Sequence, residues 1–367
     1  MSNATADTLV KTRRLLQVRD LKMHFPIVKG LLRRTVGHTR AVDGVTFDVY
    51  EGETFGLVGE SGCGKTSIGR CINRILKPTD GSILYSCEEG HEVDLAALSD
   101  HAVRHYSRDI RMIFQDPFSS LNPRMTVLDI VGEVLKVNGI AEGKELETKV
   151  RELLTKVGLR GEYLRRYPHA FSGGERQRIG VARALAPGPR FVVCDEAVSA
   201  LDVSIQAQTI NLLQDLQEEF DLTYLFIAHD LSVVEHIADR IGVMYVGKMV
   251  ETGTTDEVYA KPYHPYTEAL LSAVPKPDPS LRETASRIRL SGEVADASNP
   301  PSGCYFHPRC PYAEEKCRTE APPLKEVESG HFAACHFAGE LSLKGVLSPE
   351  MIQRRTGEQR TGPIGHS

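Results

Sequence analysis

No stretch of this chain approaches the ~18 consecutive apolar residues that a membrane-crossing helix needs, so none reads as a span. The start, Met1 to Arg14, lacks the apolar core of a signal peptide. Positive charge is not in excess: 44 Lys and Arg against 49 Asp and Glu leave a formal net charge of −5. That balance removes the bulk basicity of a nucleic-acid binder. The expectation is a protein of the cytosol, or one docked on a membrane through another protein, with no nucleic-acid partner. Paired cysteines two to four residues apart, usual in structural zinc sites, are also missing. Cys63, Cys71, Cys87 and Cys194 are scattered, whereas Cys304, Cys310, Cys317 and Cys335 crowd together. In a reducing compartment such a cluster suits a metal better than disulfides.

What is present is ordinary for a globular protein of about two domains: 367 residues, 25% charged and 41% apolar. Its organising stretch is Gly59-Glu60-Ser61-Gly62-Cys63-Gly64-Lys65-Thr66-Ser67, which reads G-x-x-x-x-G-K-T. The apolar run Thr54–Val58 before it suits a buried strand, and Ile68, Ile72, Ile75 and Leu76 after it fall at helical spacing. Strand, glycine loop and helix are the setting in which backbone N–H groups turn inward around a phosphate chain, aided by the positive helix end. Gly59, Ser61, Gly62, Cys63 and Gly64 would form the cradle. Lys65 would reach the β- and γ-phosphates, and Thr66 or Ser67 would offer a hydroxyl to Mg²⁺.

Before that loop, strand patterns cover Leu15–Phe25 and Val45–Tyr50, separated by a basic, glycine-bearing insert from Lys29 to Arg40. Phe25 and His38 are candidates to stack on a nucleotide base, although a core phenylalanine and a surface histidine are the plainer readings. After the loop, the short apolar strand Arg111–Phe114 ends at Gln115, placed to reach a metal and an attacking water in a parallel sheet. From Thr126 to Ala184 the pattern is helical, with stripes Val127, Ile130, Val131, Val134 and Val150, Leu153, Leu154, Val157. Ser172-Gly173-Gly174-Glu175 then opens a helix, either as an ordinary cap or as a second anion-binding turn. One chain has no evident need of two such turns, so the economical reading is that the second completes a partner subunit's nucleotide site. The apolar run Phe191–Cys194 ends in Asp195-Glu196. Beside a phosphate loop the first acid is placed to hold Mg²⁺ and the second to polarise the attacking water. Ser199-Ala200-Leu201-Asp202 makes a turn with a helix cap, Leu212, Leu213, Leu216 and Phe220 mark a helix, and the strand Thr223–Ala228 ends at His229. There an imidazole would contact the γ-phosphate and the general base.

In order and approximate spacing these segments resemble the ATP-binding-cassette (ABC) ATPases over residues 15–255: Walker A with Lys65 and Thr66, Q-loop Gln115, the Ser172-Gly173-Gly174-Glu175 signature, Walker B Asp195-Glu196, the D-loop to Asp202 and H-loop His229. Phe171 stands where the family has leucine, Glu175 where it has glutamine, and Thr66-Ser67 inverts the common order; no donor is lost. The resemblance implies an α/β fold, a P-loop NTPase with a RecA-like core, an antiparallel β subdomain and a helical subdomain at about 117–184, all within 14–255. It implies an ATP hydrolase with Glu196, His229 and Gln115 catalytic, Mg²⁺ on Thr66, Gln115 and Asp195, and Ser172, Gly173, Gly174 and Asp202 serving the partner's ATP. Two cassettes would close head to tail on ATP and signal to membrane subunits through the segment after Gln115.

Residues Lys261–Pro275, containing His264-Pro265-Tyr266, are similar to the segment typical of dipeptide and oligopeptide importer ATPases. His24–Leu32 and Ala41–Val45 look like the F-type subunit rather than its D-type companion. The partners implied are a second cassette ATPase (D-type, or another copy), two transmembrane permeases and an extracytoplasmic substrate-binding protein, with the chain peripheral on the cytoplasmic face of the cell membrane. Nickel or another small solute is an alternative cargo; a soluble ABC ATPase unconnected to transport, or an assembly ATPase for metal centres, is an alternative class. Cys304-x5-Cys310-x6-Cys317-x17-Cys335 offers four thiolates with wide, uneven loops, and the same importer family carries this pattern as a [4Fe–4S] site. Structural Zn²⁺ is the alternative, for which His307, His331 and His336 are further ligands in reach by sequence. This C-terminal region is expected over 256–337, followed by a disordered polar tail over 338–367.

Overall fold

The computed structural model describes residues 13–30, 34–88, 90–116, 120–199, 201–274 and 288–347. Its described residues divide into two units, one holding residues 13–24, 42–56 and 65–228, the other 25–41, 57–64 and 229–347.

Period-two alternation builds an antiparallel sheet in the order β2-β1-β4-β5. Its strands β1 (Arg14–Lys29) and β2 (Arg34–Tyr50) bury Leu16, Val18, Val45, Phe47 and Val49. The strand β3 (Thr54–Val58) is buried throughout and is followed by the helix α1 (Lys65–Ile72). Further along come β4 (Asp80–Ser86), paired antiparallel to β1 with Val18 opposite Ile83, and β5 (Glu92–Asp94). The strand β6 (Ile110–Ile113) leads into the helices α2 (Val127–Val137), α3 (Gly143–Lys156) and α4 (Gly173–Leu185), whose stripes meet through Ile130, Val131, Leu146, Val150 and Ile179. Next are β7 (Phe191–Asp195), α5 (Val203–Phe220) and β8 (Thr223–Ile227). The strands β6, β7 and β8 run parallel, with Ile113 level with Cys194 and Asp195 level with Ile227. Both β7 and β8 are fully buried, as strands covered on two faces must be. A Cβ on Gly69 of α1 would stand 2.8 Å from the Val193 side chain and 3.0 Å from that of Ile227, so glycine lets this helix lie close on the strands.

The second unit contains α6 (Leu231–Ile237), β9 (Arg240–Tyr245), β10 (Lys248–Thr254), α7 (Thr255–Ala260), α8 (Pro265–Ser272), α9 (Glu315–Thr319), β11 (Lys325–Glu328) and β12 (His331–Ala333). Here β9, β10, β12 and β11 pair antiparallel in that order. A two-residue hairpin joins β9 to β10, with Val246 at φ 41° and Gly247 at φ 75°. The fully buried Glu251 carboxylate ties β10 to β12 and to the turn that enters α8. It accepts the N–H groups of Tyr263 (2.6 Å) and His264 (3.0 Å) and lies 2.8 Å from His331 Nε2.

Three expectations are corrected. The helix α1 stops at Ile72 instead of continuing through Ile75 and Leu76; Arg74 turns left-handed at φ 53° and Ile75 is 52% exposed. The insert is largely strand, since β2 begins at Arg34 with an exposed first half that leaves no alternating apolar trace. The tail does not begin at 338. Lys344 N–H donates to Glu268 Oε1 (2.8 Å), Val346 and Leu347 N–H donate to the Tyr259 carbonyl (2.8 and 3.2 Å), and Leu347 is 7% exposed. The polar N-terminus through residue 12, Leu31 and Leu32, Pro117, Ala200, Pro275 and the tail from 348 onward lie outside the described residues. Among the described residues no helix is long and apolar enough to cross a membrane.

Candidate functional site

The glycine loop takes its shape from backbone conformations that only glycine adopts cheaply. Gly59, Gly62 and Gly64 have φ of 148°, 80° and 108°. A Cβ on Gly59 would meet the Met244 carbonyl oxygen at 2.2 Å, and one on Gly64 the Ala41 carbonyl oxygen at 2.0 Å, whereas Gly62 faces open space. Ser61 is exposed and Cys63 buried, its carbonyl accepting Gly247 N–H at 2.9 Å. The loop runs directly into α1, where Lys65 is 4% exposed and Thr66 and Ser67 are half-buried.

In the first unit, level register brings the strand-end residues together. Gln115 and Glu196 each lie two residues beyond the paired Ile113 and Cys194, and Gln115 Nε2 donates to Glu196 Oε2 at 2.7 Å. Glu196 sits at φ 47°, a strained conformation for a non-glycine residue; its N–H donates to the Ile227 carbonyl (3.0 Å) and its own carbonyl accepts Ser199 Oγ (2.9 Å). Thr66 Oγ1 donates to Asp195 Oδ1 at 2.8 Å. Asp195 is 2% exposed, and burial raises its pKa, opposed by the Thr66 hydrogen bond and the Arg70 charge and reinforced by Glu196. A buried hydroxyl–carboxylate pair beside a glutamine–carboxylate pair is a set of oxygen donors suited to a hard divalent cation and a polarised water.

Ser172 caps α4 in a reciprocal box. Its hydroxyl accepts Glu175 N–H (3.3 Å) and donates to Glu175 Oε2 (2.9 Å), which also takes Ser172 N–H (2.9 Å). These bonds hold the Glu175 carboxyl below its ordinary range, Ser172 N–H contributing most. Gly173 and Gly174 form the first turn, and Asp202 caps α5 through Ile205 N–H at 3.0 Å. His229 follows β8 and opens the second unit. Phe25 is half-buried on β1 and His38 exposed on β2.

Apart from its resemblance to the importer segment, His264-Pro265-Tyr266 reads chemically as no more than a turn into a helix. Its chemistry emerges within the second unit: His264 Nδ1 accepts Tyr266 N–H (3.1 Å), Pro265 fills the first helical position, and the Tyr266 hydroxyl accepts Glu60 N–H of the glycine loop at 2.9 Å. Burial pushes the His264 pKa down to about 3, so its imidazole is a neutral cap.

Cys304, Cys310, Cys317 and Cys335 line one small cavity of about 20 Å³, walled by Phe306 and Phe337, and none is in a disulfide. Burial raises the pKa of Cys310 to about 12 and that of Cys335 to about 11. Among the described residues no group of three or more His, Cys, Asp or Glu side chains is arranged to hold a metal ion. The three histidines are engaged elsewhere: His307 Nδ1 with the Cys304 carbonyl (2.9 Å), His336 Nε2 with the Glu320 carbonyl (2.9 Å), and His331 with Glu251.

The ABC transporter family matches residues 42–199, and the C-terminal region of oligopeptide/dipeptide transporters matches residues 250–317. The chain is 52% identical over 331 residues to the oligopeptide transport ATP-binding protein AppF of Bacillus subtilis, covering 90% of this chain and 99% of the relative. In structure it resembles the dimeric post-hydrolysis ATP-binding cassette MJ0796 bound to ADP and Pi, with a TM-score of 0.57 and 25% identity over 66% of this chain and 99% of that one. It also resembles cbiO1 of Clostridium perfringens, part of the ABC transporter complex cbiONQ, with a TM-score of 0.57 and 25% identity over 67% of this chain and 91% of that one. With a relative matched at half of all positions along nearly its whole length, the chain belongs to the ATP-binding subunits of the ABC transporter family, in the oligopeptide/dipeptide transporter group.

Proposed function

We propose that this chain hydrolyses ATP to power the uptake of peptides, as one cassette of a pair working on membrane permeases. The observation that carries the reading is the relation to AppF along nearly the whole length of both chains, which takes in the cassette and the C-terminal region together. Residues 14–255 serve as the cassette and 256–337 as the importer-type region. In this reading the Gly59–Gly64 backbone and Lys65 bind the phosphates. Thr66, Asp195 and Gln115 would hold Mg²⁺, which would offset the charge of the transferring phosphoryl group. Glu196 takes the proton of the attacking water, its carboxylate oriented by the Gln115 amide, and His229 supports the γ-phosphate. Ser172, Gly173, Gly174 and Asp202 act on the partner cassette's ATP, that partner being a D-type chain or a second copy. The chain lies on the cytoplasmic face of the membrane, and two transmembrane permeases and an extracytoplasmic binding protein complete the assembly.

A metal centre at the cysteine cavity is inferred from the donor set alone: four cysteines line one small apolar space and none is in a disulfide. The engagement of His331 with the buried Glu251 leaves the four cysteines as the donor set, and their wide, uneven spacing supports a [4Fe–4S] site over structural Zn²⁺. Such a centre would staple the segment around α9. Anaerobic purification with iron, sulfide and zinc analysis decides between the two; stoichiometric zinc without sulfide ends the iron reading. For the function itself, reconstitution with a partner cassette, peptide-importer permeases and a binding protein should give peptide-stimulated ATPase activity and peptide uptake, both lost in Lys65→Ala. Untouched nucleotide affinity and turnover in Lys65→Ala would remove the basis of the reading.

A further inference from the structure

Glu60, the first variable residue of the glycine loop, is held from two sides by the C-terminal part of the second unit. Its carboxylate receives both arms of the Arg309 guanidinium, NH1 on Oε2 at 2.7 Å and NH2 on Oε1 at 3.1 Å. Its backbone N–H donates to the Tyr266 hydroxyl. Arg309 is 9% exposed, immediately precedes Cys310, and lies over the Tyr245 ring at 5.8 Å. That ring meets Tyr266 at 4.8 Å and Phe306 at 5.2 Å, both edge-on, and Phe306 walls the thiol cavity. A two-armed guanidinium fixes direction as well as distance, and a lysine ammonium cannot reproduce it. It also neutralises a carboxylate that sits inside a loop built for anions. Gly59, wedged against the Met244 carbonyl, is a further fixed point of the loop.

We propose that Arg309 is a positioning residue of the phosphate loop: its grip on Glu60 keeps the loop in the shape that receives nucleotide. It thereby makes ATP affinity depend on the integrity of the cysteine-bearing segment. The inference rests on Gly59–Thr66 being the ATP site. It is tested on the full chain by calorimetric Mg·ATP binding and steady-state turnover in Arg309→Met, Arg309→Lys, Glu60→Gln and the double variant Glu60→Gln/Arg309→Met, with thermal midpoint and bound iron or zinc measured for each. Arg309→Met is expected to weaken ATP binding about tenfold and raise KM far more than it lowers kcat. Arg309→Lys should fall between it and the wild type. The double variant should bind no worse than Arg309→Met, because the arginine acts through Glu60. Should Arg309→Met not fold, Arg309→Lys and Tyr266→Phe carry the test through the same KM-against-kcat split. Unchanged ATP affinity in folded variants, or losses that simply add in the double variant, overturn the proposal; a purely structural arginine would move only the midpoint and metal content. Failure of the wild type to bind ATP, or equal binding by Lys65→Ala, refutes the site itself and not the role of Arg309.

Discussion

Gln115 donates its side-chain amide to Glu196 across 2.7 Å because each residue lies two positions past an aligned pair on neighbouring parallel strands. The contact is a product of register, and it fixes the carboxylate proposed to take a proton from water. Glu196→Gln preserves size and removes the base. It is expected to lower ATP turnover by about a hundredfold or more while leaving nucleotide affinity within about threefold, read by phosphate release and equilibrium binding. Normal turnover would exclude Glu196 from this role.

Thr66→Val keeps the shape of α1 and deletes the hydroxyl that reaches Asp195. The buried carboxylate loses a donor, at a cost of about 1–3 kcal/mol seen as a lower thermal midpoint. Half-maximal turnover should also need several times more Mg²⁺. A variant with wild-type midpoint and Mg²⁺ dependence contradicts this pairing.

The glycines separate two causes of one requirement. At Gly62 only the left-handed backbone disfavours a side chain, so Gly62→Ala should cost about 1–2 kcal/mol and keep measurable ATP binding. At Gly64 the added carbon would also fall 2.0 Å from the Ala41 carbonyl oxygen, so Gly64→Ala should abolish binding in calorimetry. Equal behaviour of the two variants would show that the close approach is unimportant.

His264 carries a pH signature. Burial lowers its folded pKa to about 3, beneath the ordinary value near 6.5, so its stabilising contribution is fully present above about pH 6.5 and is lost as pH falls toward 3. Within that window the contribution falls by up to about 1.4 kcal/mol per pH unit. Asparagine retains a capping acceptor without titrating, so His264→Asn should flatten the midpoint-against-pH curve below about pH 6.5. A parallel curve would place the acid sensitivity elsewhere.

Much of the cassette site was legible because its determinants are local. A glycine loop between strand and helix, acids closing an apolar strand and a serine capping a helix each leave their pattern within a dozen residues. The tie from Tyr266 to Glu60 left none, since the partners lie far apart in sequence and the tyrosine reads as an ordinary first-turn residue. Arg309 carries no signal in the sequence, because only the folded chain brings the Glu60 carboxylate to it. The exposed first half of β2 was invisible for a different reason: a strand without a buried face has no hydrophobic alternation to display. The packing of residues 344–347 was missed in the same way, being carried mainly by backbone N–H groups that composition does not record.

That last packing sets where the chain can be cut or extended. Lys344, Val346 and Leu347 supply donors to Glu268 and to the Tyr259 carbonyl. Shortening the protein to end at Gly339 removes those donors and uncovers the seat of Leu347, and should lower the melting temperature by several degrees. Ending it after Leu347 keeps every one of these contacts, which makes that position the sound one for an affinity handle.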